Sequence, residues 1–281
     1  NRASLKFPLA IVSMDIAITD QEFGRFQRFI HDVAGIRMTD AKKALVSSRL
    51  MKRVHARALK SFGAYYDLIA SGADPIELQT AVDLLTTNET YFFREPKHFD
   101  FLRRLLDQRG AAPGPFRVWS AASSSGEEAY SIAMLLADRL GERAWEILGS
   151  DLSAQVLDRA KTGHYVDERA RHIPHEYLRR YCLKGIGPQA GTLMVAAELR
   201  SRVRFRQINL MQPLPDVGMF DVIFLRNVMI YFDDATKRRV VTRLLDTLVP
   251  GGHLLIGHSE TLARLVEGLA SVAPAIYRKP E

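Results

Sequence analysis

The sequence predicts an α/β protein: a doubly wound, largely parallel sheet, preceded by an N-terminal helical domain and interrupted by a small inserted antiparallel β-subdomain. Three observations predict it. Residues 20–85 carry apolar residues at helical spacing, and after residue 115 short apolar runs alternate with amphipathic helices. Between about 166 and 202 that alternation breaks into short β-prone pieces around the turn-rich "GIGPQAG".

In the helical part, "TDQEFGRFQRFIHDVAG" opens on Thr19 or Asp20 as N-cap and ends at Gly35 as C-cap. "TDAKKALVSSRLMKRVHARALKSFG" repeats the pattern, predicting one helix from Thr39 or Asp40 to Gly63. On it Leu50, Met51, Val54 and Ala58 share an arc, while Arg49, Lys52, Arg53, Arg57 and Lys60 form a basic face. "RGAAPGP", 109–115, reads as a hinge. Beyond it strands are expected at 116–122, 146–151, 203–208, 220–226 and 252–258, with helices near 126–140, 153–162 and 234–248. "VAPAIYRK" reads as a final edge strand. The expected units are therefore a tail or cloning remnant (1–18), a helical domain (19–85), a linker (86–115) and the sheet domain (116–281), with the insertion at about 166–202.

The chain has 281 residues, 47% hydrophobic and 25% charged, an ordinary globular profile. Cys182 is the single cysteine, which excludes an intrachain disulfide framework and a multi-cysteine zinc site and fits a cytoplasmic location. The net charge of +7 points to an acidic partner. No apolar run approaches the roughly 20 residues of a membrane helix, so no membrane insertion is expected. The histidines are scattered and no metal site is read. His253 and His258 fall on opposite faces of one strand with no acid to orient them.

"VWSAASSSGEEAYSIAML", 118–135, is a strand, a loop of tiny residues and a helix, an arrangement that usually cradles phosphate. Glu127 and Glu128 in the first turn would repel one. The bland reading is that they complement the helix dipole. With Asp151 at the end of the next strand, however, the site offers carboxylates and a ribose acceptor but no glycine-rich pyrophosphate cradle. A nucleoside bearing positive charge, such as S-adenosylmethionine, suits it, with both glutamates facing the cation. Asp151 or Ser153 as the next helix's N-cap is the structural alternative.

Six segments together resemble the bacterial chemotaxis receptor methyltransferases of the CheR type: "LLTTNETYFFREPKHF", "VWSAASSSGEEAYSIAM", "GSDLSAQVLDRAKTGHY", "INLMQPLP", "FDVIFLRNVMIYFD" and "GGHLLIGHSETL". The resemblance implies a Rossmann-like class I methyltransferase fold and S-adenosylmethionine as cofactor, S-adenosylhomocysteine being the product. The reaction it implies is methylation of glutamate side chains on chemoreceptors, for chemotactic adaptation. It assigns cofactor contacts to Asn88, Thr90, Arg94, Glu128, Asp151, Asn209, Leu210, Arg226 and Asn227, and catalytic roles to Arg94 and Tyr231. Ser125 and Ala129 depart from the family, where many relatives have threonine and proline.

A glutamate, which ordinarily titrates near ~4.3, is already ionised at neutral pH, so its methylation needs alignment rather than a base. Arg94 is the candidate for positioning the carboxylate, with a surface pairing to Glu95 as its structural alternative. Tyr231 would donate a hydrogen bond or flank the cation with its ring. The expected partner is the cytoplasmic domain of a methyl-accepting chemoreceptor. The basic face at 41–60 would meet it, and the β-subdomain would receive a receptor's C-terminal tether. The chain would act as a monomer. A nucleic-acid methyltransferase fits less well, because "RNVMIYF" lacks the proline-rich loop of amino-group methylation and aromatic residues do not interleave the basic helix. A silent cofactor or receptor binder is the other rival.

Overall fold

The computed structural model describes residues 16–109, 114–262 and 265–281; most of the N-terminal tail and the centre of the 109–115 hinge lie outside them. The chain begins with α1 (Asp20–Ala34), whose Thr19 N-cap and Glu22 form a reciprocal capping box, and which ends at Gly35 as the sequence predicts. α2 (Lys43–Ala56) follows a short 3₁₀ turn. It stops well before Gly63, correcting the single long helix expected there. Ala58 takes φ 51° while Leu59 N–H reaches Val54 O at 3.0 Å and Ala58 N–H reaches His55 O at 2.9 Å, a Schellman closure built on alanine instead of the usual glycine. Ser61 then caps α3 (Phe62–Ala70), and α4 (Pro75–Leu85) and α5 (Pro96–Gln108) complete the helical series. Ala58 is exposed and leaves the apolar arc, whereas Leu50 and Val54 join Phe26, Phe62 and Tyr65 in a core of their own.

The sheet part runs β1 (Phe116–Ser120), α6 (Glu127–Leu140), β2 (Trp145–Asp151) and α7 (Ala154–Thr162). The insertion carries β3 (His164–Val166), α8 (His175–Tyr181), β4 (Cys182–Lys184) and β5 (Thr192–Val195), then α9 (Ala197–Arg200). β6 (Val203–Gln207), β7 (Phe220–Leu225), α10 (Asp234–Asp246), β8 (Leu248–Ile256), β9 (Ala270–Ala273) and β10 (Ile276–Arg278) close the chain. The seven-stranded sheet has the order β6-β2-β1-β7-β8-β10-β9, and β3-β5-β4 form a separate antiparallel sheet. β6, β2, β1, β7 and β8 pair in parallel. The final apolar stretch is a hairpin rather than a single edge strand: β10 lies between β8 and the edge strand β9, antiparallel to both. Ala275 at φ 61° makes the turn.

Side-chain alternation sorts the central strands onto two cores. Val118, Val222, Phe224 and Leu255 face α5 and α6, while Trp119, Ile223, Leu225 and Leu254 face α10. Each such side chain, fully buried, stabilises the fold by roughly 1.5–3 kcal/mol relative to exposure. The strand order reverses between β1 and β7, and the crevice outside that switch point is where ligands bind in this architecture. No helix among the described residues is long and apolar enough to cross a membrane.

Candidate active site

A cavity of about 260 Å³ opens at this switch point. Every site residue expected from the sequence lines it: Asn88, Thr90 and Arg94 from the segment before α5, Glu128 from α6, Asp151 from β2, Asn209 and Leu210 after β6, Arg226 and Asn227 after β7, and Tyr231. The helical domain supplies a wall that sequence reasoning missed, including Ala34, Arg37, Met38 and Lys42. Nothing in their spacing distinguishes these from solvated residues; only the packing of α1 against the sheet domain brings them in.

The small-residue loop after β1 holds Asp151 at close range. Ser124 N–H donates to one oxygen at 2.9 Å and Ser153 N–H to the other at 3.0 Å. Burial pushes the Asp151 carboxyl up, against these backbone donors. Ser153 is the N-cap of α7, so the cap and the acceptor are separate residues. Gly126 opens α6 at φ 94°, where a Cβ would stand 2.9 Å from Ala160 Cβ; the backbone therefore needs glycine there.

The two glutamates part company. Glu128 lines the cavity, accepting from Ser120 Oγ at 2.7 Å and Arg226 Nη1 at 2.9 Å, and burial pushes its carboxyl up while Arg226 opposes. Glu127 is 0% exposed and turned the other way, onto Arg169 and Ser125 Oγ. The expectation that both glutamates face a cationic ligand is thus corrected. Adjacent helix positions diverge by about 100°, and the insertion brings Arg169 to Glu127.

Arg226 has a side chain only 1% exposed. It bridges Glu128, Glu95 at 3.2 Å and the Arg94 carbonyl. Arg94 does not pair with Glu95: its guanidinium donates to Glu89 O at 3.1 Å and lies 5.7 Å from the Tyr91 ring, leaving donors available to the cavity. Asn88 donates to Thr86 Oγ1 at 3.1 Å. Asn209 ties the two parts of the molecule together, donating to Val33 O at 2.8 Å and accepting from Met211 N–H at 2.9 Å. Leu210 packs into the α10-side core. Asn227 sits at φ 57° and donates to Glu95 at 3.2 Å. Tyr231 follows on a 3₁₀ turn, and burial raises its hydroxyl pKa.

Glu95 and Glu260 were also missed. Burial would raise the Glu95 carboxyl, but Arg226, Asn227 and the His258 N–H hold it low. An acid therefore does stand beside His258, contrary to the sequence expectation; Glu95 lies far away in the chain. Glu260 accepts from Gly257 N–H at 2.6 Å, Asn227 N–H at 3.0 Å and Ile230 N–H at 3.1 Å, and burial pushes its carboxyl up. The "GHSE" run carried it in plain sight, but nothing in the run points back to residue 227.

The basic face is weaker than its sequence suggests. Arg53 forks Glu77 at 2.8 and 2.5 Å, Arg57 pairs with Asp74, and Arg49 donates to the Leu84 and Thr86 carbonyls. α4 and its N-cap Asp74 supply the acids that residues 41–66 lack. Lys52 and Lys60 remain without partners among the described residues.

Residues 88–275 match the family described as CheR methyltransferase, SAM binding domain, and residues 21–86 match CheR methyltransferase, all-alpha domain. The chain is 41% identical to a chemotaxis protein methyltransferase of Escherichia coli, over 93% of this chain and 92% of that one. It is 40% identical to chemotaxis protein methyltransferase 2 of Pseudomonas aeruginosa (92% and 93% covered) and 35% identical to a counterpart of Borreliella burgdorferi (95% and 97%).

Proposed function

Because the chain belongs to the CheR methyltransferase family, we propose that it methylates glutamate side chains of bacterial chemoreceptors from S-adenosylmethionine, giving glutamyl methyl esters and S-adenosylhomocysteine. The observation that carries this reading is the content of one cavity: the Glu128 carboxylate in the first turn of α6, the Asp151 carboxylate at the β2 end, a forked cation and a tyrosine, gathered at the switch point.

The residues present fit the cofactor. Each Asp151 oxygen receives one backbone N–H and keeps a further acceptor position for a ribose hydroxyl. Glu128 offers negative charge to the cofactor's ammonium group, and Asn88, Thr90, Asn209, Leu210 and Asn227 complete the contacts. The bound cofactor supplies an electrophilic methyl carbon on a sulfonium, whose departure leaves a neutral thioether.

The chain's own part is alignment. Arg94 holds the substrate carboxylate by two oxygens, fixing its approach without removing a proton. Arg226, pinned by two glutamates, keeps Glu128 in place. Tyr231 closes the site with its ring and hydroxyl.

On the receptor side, Lys52 and Lys60 are cations of the α2 region with no acidic partner among the described residues, available to an acidic helix. The insertion leaves β4 at a sheet edge with Leu183 and Ile186 exposed, which supports capture of a receptor's C-terminal segment by strand addition. The test is methyl transfer from labelled S-adenosylmethionine to receptor-bearing membranes, read as labelled methanol released from the ester by base. Cofactor binding by calorimetry with no ester on any receptor would replace this reading with that of a binder.

A further inference from the structure

A second cavity, of about 360 Å³, is lined by Lys97, His98, Asp100 and Arg104 of α5, by His258 and by the β9–β10 turn. Glu95 links it to the first. Its carboxylate contacts Arg226 and Asn227 on one side, and on the other His258 N–H at 3.3 Å and His98 Nδ1 at 3.4 Å.

The balance of charge around this cavity is positive. Asp100 is taken by Arg103 at 2.8 Å and Glu95 by Arg226. Lys97 and Arg104, both exposed, have no acidic partner among the described residues. His98 is 0% exposed, yet neither ring nitrogen has a hydrogen-bond partner. In the neutral Nε2–H tautomer the ring carries an N–H without an acceptor, while Nδ1 lies 3.4 Å from the Glu95 carboxylate. α5 begins here as well, adding the positive end of a 13-residue helix.

Glu95, His98 and His258 place ligand atoms within 4.8 Å of one another, a spacing that invites a metal ion. The charges decide against it. Arg226 already occupies the Glu95 carboxylate, and Lys97 and Arg104 repel a further cation. An anion is the ligand that this lining lacks.

We propose that the second cavity is a carboxylate subsite, taking an acidic side chain of the protein substrate on Lys97 and Arg104, with the buried His98 ring behind them. It rests on the reading of the first cavity as the methyl-transfer site, and it makes the enzyme selective for glutamates with an acidic neighbour on the same face. Helical substrates present such neighbours three or four residues away. The exposed mouth, formed by Lys97, Arg104 and the 41%-exposed His258 side chain, admits a side chain still attached to its backbone.

Calorimetry on the full chain saturated with S-adenosylhomocysteine tests it. The probes are helical peptides with one acceptor glutamate and either glutamate or glutamine three or four residues away. Lys97→Ala/Arg104→Ala should weaken the two-glutamate peptide about tenfold and leave the glutamine peptide within twofold. Lys52→Ala/Lys60→Ala should weaken both alike. An equal effect of Lys97→Ala/Arg104→Ala on both peptides, or none on either, would overturn the subsite. So would micromolar zinc binding that His258→Ala abolishes. The readout is binding, so a chain that discriminates the peptides yet forms no ester would count against the methyl-transfer reading alone.

Discussion

Asp151 receives a backbone N–H on each oxygen, so its orientation is fixed before any ligand arrives. Asp151→Ala removes that acceptor, and hydrogen bonds to charged groups contribute about 1.5–3 kcal/mol. Calorimetry should show a cofactor Kd raised roughly 10- to 100-fold. Arg94→Ala should instead lower kcat, at saturating cofactor, by about the same factor; normal turnover would remove Arg94 from the transfer step. His98 gives the residue scale a pH signature. Burial, with Arg226 nearby, depresses its pKa to about 3 from 6.5. The unfolded chain therefore takes up a proton below pH 6.5 that the fold refuses. The stability this contributes is complete above 6.5 and is lost as pH falls towards 3, at roughly 1.4 kcal/mol per pH unit. His98→Phe should flatten that slope between pH 6.5 and 4.5 in denaturant titrations. His253, also depressed by burial, supplies part of what remains.

At the scale of elements, the segment between β7 and α10 carries Asn227 and Tyr231 and is fastened by a single carboxylate, Glu260. Gly257 permits the fastening: a Cβ there would stand 2.7 Å from Asn227 Nδ2 and 2.8 Å from Glu260 Oε2. Glu260→Ala leaves the part-buried Gly257 and Asn227 N–H groups without their acceptor, at up to about 1–3 kcal/mol each. It should lower both the melting temperature and kcat, while Thr19→Ala, which removes a distant cap, should cost about 1 kcal/mol and spare kcat. This fastening was not legible in the sequence, because it joins residues from two strand ends that only the sheet brings together. What was legible had local causes. The α1 caps, the apolar strands and the Asp151 strand end all follow from neighbouring residues. The α2 end was not, because alanine took the left-handed position where glycine is the expected signal.

At the scale of the molecule, the cavity belongs to both halves. Asn209 grips the end of α1, Arg37 N–H reaches Tyr231 O at 2.9 Å, and Ala154 N–H reaches Asp83 at 3.1 Å. These contacts explain why the residues proposed for the cofactor were readable in the sequence as cavity-lining positions while the helical wall was not. The proposed residues sit in recognisable motifs around the strands, whereas the wall depends on docking between units far apart in sequence. The helical domain's core is separate from the two cores on the sheet, so a chain beginning at Thr86 should keep its sheet and its far-ultraviolet strand signal. It would nevertheless lose Ala34, Arg37, Met38 and Lys42 from the lining and open the site to water. An open site weakens charged contacts by raising the effective dielectric around Glu128 and Asp151. Calorimetry with S-adenosylhomocysteine should therefore show affinity reduced at least tenfold in the truncated chain. Unchanged affinity in a folded truncation would mean that the helical domain serves only the protein substrate, and that the sheet rim alone defines the cofactor site.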